Sequence, residues 1–259
     1  MTRGPRGPVC LGIVDWGIGG LGLLRILDGL APGLPVVYWS DSGTVPYGLQ
    51  DRAHLAARLR VVVSALADRG CTEVVLACNA ASTVIGDLDR ARVPVEGIIG
   101  HGIAAVPTSF MGTVGVVGGS RTIRGGHYRR GLAAPGRVVC SRVAQPLSAH
   151  IEAGRTGSPE FVADLHRIVR PLRTAGVVVL ACTHYPAATG WFADALPGVA
   201  LVDPAARLAA AIAARHGRGV GGPDRTYITT GEPDAMRRAA AGAWSAELLT
   251  VEPAVLPAR

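Results

Sequence analysis

Two stretches of the chain arrive at the same junction. Residues 74–83 read VVLACNAAST and residues 177–186 read VVVLACTHYP. In each, a run of β-branched residues ends in Leu-Ala-Cys and a small polar residue follows, which puts Cys78 and Cys182 at the ends of two predicted strands. In open α/β sheets, ligands bind beyond the carboxyl ends of the strands. A thiol there sits beside unpaired N–H groups and the positive end of a helix dipole. Its pKa can drop from about 8.5 into the range of roughly 3.5–7.5, making thiolate available near neutrality. A lone strand-end cysteine is usually a packing residue. Two in matching positions of two similar half-chains are better explained as a pair. Facing each other across a pseudo-dyad, they would flank a ligand from opposite sides, which is the geometry for taking a proton from one face of a carbon and returning one to the other.

The elements that must position these thiols are legible as short apolar runs alternating with helical patterns. Strands are predicted at 9–14, 35–40, 73–77, 113–117, 137–143 and 177–181, with amphipathic helical stretches such as 51–69 and 159–174 between them. Buried β-branched strands alternating with helices predict an α/β fold with mostly parallel sheets. A looser symmetry supports two pseudosymmetric halves with the site in the cleft between them. A strand followed by DWGIGGLG (15–22) matches a strand followed by GGSRTIRGG (118–126), and each glycine-rich turn precedes a Leu-Ala-Cys strand. The division expected is residues 1–98 plus 207–259 for the Cys78 domain and 99–206 for the Cys182 domain. The tail contributes helices and a strand near TYITT.

Composition removes several classes of function. All 26 Lys+Arg residues are arginine. Without lysine there is no Schiff-base amine for pyridoxal phosphate and no Walker A lysine. The net charge of +7 comes from scattered arginines with few interleaved aromatics, so no nucleic-acid partner is expected. No apolar run reaches the roughly 18–20 residues that span a bilayer, and the N-terminal MTRGPRGPVCLGIV lacks a signal-peptide apolar region. Five cysteines form no CxxC and no regular framework, which points to reduced thiols in a cytoplasmic protein, with Cys10, Cys71 and Cys140 structural. Two other motifs compete. GIGGLG (17–22) after a strand, with Asp41 some 20 residues on, has the form of a dinucleotide fingerprint. Asp15 beside the turn is poorly placed for a pyrophosphate, however, and that reading leaves the paired cysteines unexplained. Cys182 and His184 could begin a zinc site, but no further ligands stand at the right spacing, so no metal is expected.

The order of motifs DWGIGGLGLLRIL (15–27), YWSDSGTVPYG (38–48), LACNAAS (76–82), VGVVGGSRTIRGGHY (114–128), IEAGR (151–155), LACTHYP (180–186), LVDPA (201–205) and YITTGEP (227–233) resembles that of glutamate racemases of the aspartate/glutamate racemase superfamily. The resemblance implies two α/β domains, an active site between them and no cofactor. It implies Cys78 and Cys182 as acid/base thiols assisted by Asp15 and His184. A small amino acid or related carboxylate would be bound by Asp41, Pro46, Tyr47, Gly48, Asn79, Thr122, Glu152 and Thr183, and the assembly would be a homodimer. Three positions depart from the family pattern: Trp16 stands for a serine, Ala80 for a threonine and Gly119 for a threonine. Each lost hydroxyl removes roughly 0.5–1.5 kcal/mol of hydrogen bonding. An altered pocket is therefore expected, with Trp16 adding an apolar face and one N–H donor while Ala80 and Gly119 open space. The same scaffold could also serve an isomerase, lyase or decarboxylase acting on a non-standard carboxylate, or a non-catalytic binding protein. Retention of both cysteines, Asp15 and His184 argues against the binding protein.

Overall fold

The computed structural model describes residues 9–217, 224–254 and 256. The stretch 1–8 read for a leader, and residues 218–223, 255 and 257–259 of the expected first domain, lie outside it. The β-branched runs form two sheets in which all pairings are parallel. The first sheet comprises β1 (Leu11–Asp15), β2 (Val36–Ser40), β3 (Glu73–Leu76), β4 (Val95–Gly97), β9 (Arg225–Thr229) and β10 (Glu252–Pro253), in the order β10-β9-β2-β1-β3-β4. The second comprises β5 (Gly112–Gly118), β6 (Arg137–Val143), β7 (Val177–Ala181) and β8 (Ala200–Val202), in the order β6-β5-β7-β8.

The order β2-β1-β3-β4 in one sheet thus repeats as β6-β5-β7-β8 in the other. Each central strand runs into a glycine-rich turn, and each strand beside it runs into a cysteine. The periodicity explains why the strands read as unbroken apolar runs. Leu11 and Ile13 enter one apolar cluster while Val14 enters another; Val178 and Leu180 likewise separate from Val177 and Val179. Both faces of both sheets are covered by helices, as parallel sheets require.

The chain then returns to the first sheet. Helix Pro204–His216 packs on helix Leu21–Leu30, and β9 adds at Arg225–Thr229, where TYITT was read as a strand. Helix Pro233–Trp244 carries Trp244, whose Nε1 donates to the Ile18 carbonyl at 2.9 Å and so fixes the turn after β1. The helix expected over 159–174 ends at Val169 and tightens into a 3₁₀ turn, Arg170–Leu172, because Pro171 cannot supply the next helical N–H. No helix among the described residues is long and apolar enough to cross a membrane.

Candidate active site

Cys78 and Cys182 line one cavity of about 250 Å³, reaching it from the carboxyl ends of β3 and β7 in the two sheets. That is at or below the small end of the roughly 300–1,000 Å³ typical of ligand pockets. The two junctions are alike in the strand but differ beyond it. Cys78 caps a short α-helix, Asn79–Ser82, whereas Cys182 leads through Thr183 and His184 into a 3₁₀ turn, Tyr185–Ala188.

The surroundings of the thiols differ more. Cys78 is buried. Burial pushes its pKa well above the ordinary thiol value and the nearby Asp15 carboxylate pushes it further, outweighing the backbone N–H groups of Ala81 and Ala80. The lowering expected from the helix terminus alone is therefore reversed here: free Cys78 is a thiol. Asp15, at the end of β1, is fully buried. Its Oδ1 accepts from the Trp16 backbone N–H at 2.7 Å, while Oδ2 has no hydrogen-bond partner among the described residues. Burial raises the Asp15 pKa, with the charge of His184 opposing.

Cys182 is half-buried and has a different neighbour. Its Sγ lies 3.9 Å from His184 Nδ1, and His184 Nε2 donates to Glu152 Oε2 at 2.6 Å. Burial works against a charged His184, but the contacts to Cys182 and Glu152 outweigh it and hold its pKa well above the usual imidazole value. His184 thus stands beside this sulfur with its pKa raised, supported from behind by a carboxylate. Cys182, His184 and Glu152 form a connected chain; Cys78 and Asp15 are more deeply buried and act on each other electrostatically.

The glycines of the turn after β1 have a reason in this arrangement. A side chain on Gly17 would collide with the Glu152 carboxylate, and a Cβ on Gly19 would lie 2.5 Å from Thr183 Oγ1 and 2.7 Å from His184 Nδ1. Ile18 N donates to Glu152 Oε2 at 3.1 Å, and Tyr38 Oη donates to the Gly17 carbonyl at 2.7 Å. GIGGLG lets the turn after β1 pack against the loop after β7, and its close approach is to a carboxylate and an imidazole.

Most of the residues singled out from the sequence meet on the cavity wall: Asp15, Trp16, Pro46, Tyr47, Gly48, Asn79, Ala80, Gly119, Thr122, Glu152, Thr183 and His184 join the two cysteines. Asn79 accepts from Tyr128 Oη at 2.8 Å through Oδ1 and leaves its buried Nδ2 unpartnered among the described residues. Asp41 is not on the wall. Fully buried, it accepts from Arg58 Nε at 2.8 Å, Tyr47 Oη at 2.7 Å and Thr230 Oγ1 at 2.9 Å. Its carboxylate braces the Tyr47 loop from behind.

Two expectations about the altered positions change in detail. Trp16 lines the cavity, but its Nε1 donates to the Thr44 carbonyl at 2.9 Å, so its contribution to a ligand is ring carbon and not the extra donor expected. Gly119 does not open empty space. A Cβ there would lie 3.0 Å from Gln145 Oε1, and one on Gly48 would lie 2.8 Å from the same atom. The Gln145 carboxamide fills the gap and accepts from Ser120 N at 3.0 Å. Gln145, Ser148, Ala149 and Ala153 also line the cavity and were missed. Their signal was present: 145, 148, 149 and 152 fall on one face of helix Gln145–Glu152, at the spacing of a helical stripe.

The comparisons with known proteins agree with this architecture. A sequence model described as Asp/Glu/Hydantoin racemase matches residues 22–212. A glutamate racemase from Desulforudis audaxviator is 32% identical over 250 residues, covering 89% of this chain and 92% of that protein. Among solved structures, a glutamate racemase from Thermus thermophilus in complex with β-chloro-D-alanine superposes with a TM-score of 0.84 at 26% identity, covering 95% of this chain and 97% of that one. A glutamate racemase isoform from Bacillus anthracis shares the fold at a TM-score of 0.87 and 23% identity, over 97% and 99% of the two chains. With the family model spanning most of its length, this chain belongs to the Asp/Glu/hydantoin racemase family and is an isomerase of the racemase type.

Proposed function

We propose that the protein racemises a small amino acid without a cofactor, using Cys78 and Cys182 as the two acid–base groups on opposite faces of the α-carbon. The observation that carries this reading is that two thiols from two sheets share one cavity, each with its own, chemically different partner. In the free enzyme Cys78 holds its proton, and the His184 imidazolium places positive charge beside the sulfur that must carry an electron pair. A substrate enantiomer whose α-proton faces Cys182 loses it to that sulfur. Cys78 then protonates the carbanion on the opposite face, and Asp15 is placed to manage the charge left on its sulfur. The opposite enantiomer runs the steps in reverse. Asn79 Nδ2, Thr122 and Thr183 are the donors available to the α-carboxylate.

The distal end of the substrate would meet Trp16 ring carbon, Ala80, Ala149 and the Gln145 carboxamide. This wall suits a side chain less charged than glutamate's, and glutamate turnover is expected to fall at least tenfold below that of a typical glutamate racemase. The test is a panel of amino-acid enantiomers in deuterated water, with racemisation followed by circular dichroism and α-deuteration by NMR. Efficient turnover of a neutral side chain with deuterium at Cα is the expected result. Cys78→Ser and Cys182→Ser should each abolish racemisation, while each retains α-exchange on one enantiomer at most. Full racemisation by either serine variant would overturn the two-thiol mechanism; efficient glutamate turnover would overturn the altered pocket.

A further inference from the structure

Cys10 and Cys71, expected from the sequence to be packing residues, lie off the catalytic cavity, and their sulfurs meet at 3.8 Å across 61 positions of sequence. Cys10 directly precedes β1 and Cys71 stands two residues before β3, at the amino ends of two paired strands. The backbone fixes both. Helix Arg52–Asp68 closes in a Schellman turn: Gly70 N donates to the Ala67 carbonyl at 3.1 Å and Cys71 N to the Leu66 carbonyl at 3.0 Å, with Gly70 at a φ of 85°. Thr72 N then donates to the Cys10 carbonyl at 2.8 Å, which extends the ladder between the two strands. Strand alternation turns Cys10, Gly12 and Val14 to one face. A Cβ on Gly12 would lie 3.4 Å from Cys71 Sγ and 3.0 Å from Leu66 Cδ1, so the glycine leaves the room in which Cys71 lies over β1.

The two thiols are unlike. Cys71 is buried and Cys10 half-buried. Their mutual contact pushes the Cys10 pKa down, against burial and the charge of Asp224. The same contact and burial push the Cys71 pKa up, with Arg69 opposing. Thiolate therefore forms first at the more accessible sulfur, and the proton stays on the buried one. Oxidation follows thiolate character and exposure, and an acidic, accessible thiol with a second thiol beside it can pass from sulfenic acid to disulfide. The reach is adequate: a disulfide needs Cα atoms roughly 4.4–6.8 Å apart, and laddered chains run about 4.8 Å apart.

We propose that Cys10 and Cys71 are a peroxide-sensitive pair that closes into a disulfide and staples β1 to the entry of β3. The Cys10 thiolate attacks one peroxide oxygen, the O–O bond breaks, and a sulfenic acid forms with release of hydroxide. The Cys71 sulfur then attacks the Cys10 sulfur and passes its proton to the departing hydroxyl, which leaves as water. Overall, two thiols and one hydrogen peroxide give one disulfide and two waters; the sulfurs lose two electrons and the peroxide gains them. Beyond the staple, β1 runs on to Asp15 and β3 to Cys78, so the bond joins the two strands that carry this side of the cavity.

The experiment treats the reduced full chain with a few equivalents of hydrogen peroxide, alkylates the remaining thiols in denaturant, and maps the cysteines by mass spectrometry. Cys10 and Cys71 should leave the alkylated set together and reappear as one linked pair, and dithiothreitol should restore both. In Cys71→Ala, which lacks the resolving thiol, Cys10 should give a sulfenic acid trapped by dimedone; in Cys10→Ser, Cys71 should stay alkylatable. Oxidised wild type should melt several degrees above the reduced protein, because the bond closes a long loop, and Cys10→Ser should show no such rise. Cys10 and Cys71 both left alkylatable after peroxide, or either one paired with a different cysteine, would overturn the proposal. A disulfide that forms without raising the melting temperature would overturn the staple.

Discussion

Glu152→Gln isolates the charge behind the Cys182 chain while nearly preserving shape. Glu152 Oε2 accepts from both His184 Nε2, at 2.6 Å, and Ile18 N, at 3.1 Å, so one carboxylate holds the His184 imidazole and anchors the turn after β1. A glutamine that puts its carbonyl in the place of Oε2 can still accept from both donors, but it carries no charge. A hydrogen bond to a charged group contributes about 1.5–3 kcal/mol. At about 1.36 kcal/mol per decade, that corresponds to a fall of roughly 10- to 150-fold in kcat/KM. The two enantiomers are equal in free energy, so the equilibrium constant of racemisation is unity and kcat/KM must fall by the same factor in both directions.

The pH profile carries the sharper information. The imidazolium of His184 is kept charged above its usual range by its contacts to Cys182 and Glu152. Its contribution is full at low pH and is lost as pH rises through the raised pKa. Removing the Glu152 charge lowers that pKa, so the alkaline limb of the pH–rate profile should move to lower pH in the variant. The assay is continuous polarimetry or circular dichroism of both enantiomers between pH 6 and 10. A variant within twofold of the parent, with an unmoved alkaline limb, would refute the role of the carboxylate. A uniform loss with no change of profile would reduce Glu152 to a structural anchor.

Two further outcomes follow from the same geometry. Asp15→Asn should abolish racemisation yet raise the melting temperature by a few degrees at neutral pH, because a buried carboxylate with one unpartnered oxygen costs about 1–3 kcal/mol; the folded-state pKa is raised, so the gain should shrink as pH falls toward the unfolded value and vanish below about 4, as thermal melts from pH 3 to 8 would show. Gly119→Thr should displace the flexible Gln145 carboxamide, which its Cβ meets at 3.0 Å, and so lower the melting temperature by a few degrees at most; in a Gln145→Ala background that fall should disappear, and additive melting-temperature changes in the two variants would contradict the pairing.

The sequence was most informative where a physical requirement repeats. The central strands of both sheets were legible because burial on both faces demands continuous β-branched runs such as VVVLA (177–181). β4, β8 and β10, of three, three and two residues, are peripheral and too short to show a period. The cysteines were legible through duplication. Asp41, expected at the substrate, lies off the cavity wall, because spacing places it at the end of β2 but cannot say that Arg58, Tyr47 and Thr230 surround its carboxylate. Gln145 was missed although it lies on a helical stripe, because it belongs to no duplicated motif and its place between Gly48 and Gly119 is set by the fold. The reversed pKa of Cys78 was equally hidden, since a helix terminus is visible in sequence and the depth of burial is not.

The duplication explains the placement of the thiols, and the departures from it explain how the pair could work. Two equivalent thiols in equivalent surroundings would lose their protons in two steps, and in the one-proton state either sulfur would hold the proton equally often. Racemisation needs one base and one acid at the same moment, and only unequal surroundings assign the two roles in advance. The backbone supplies near-equivalence, with β3 and β7 each ending in a cysteine on the wall of one cavity. The side chains remove it. Cys78 is buried against a carboxylate that pushes its pKa up, and Cys182 lies 3.9 Å from His184, whose own pKa is raised. The turn Gly17–Gly20 lets both environments share one cavity, since a side chain on Gly17 or Gly19 would push Glu152, Thr183 and His184 away from Asp15. The asymmetry around the two sulfurs therefore depends on the close approach of this turn to the loop after β7 and to Glu152, and substitutions in the turn should disturb the cavity before they disturb the fold.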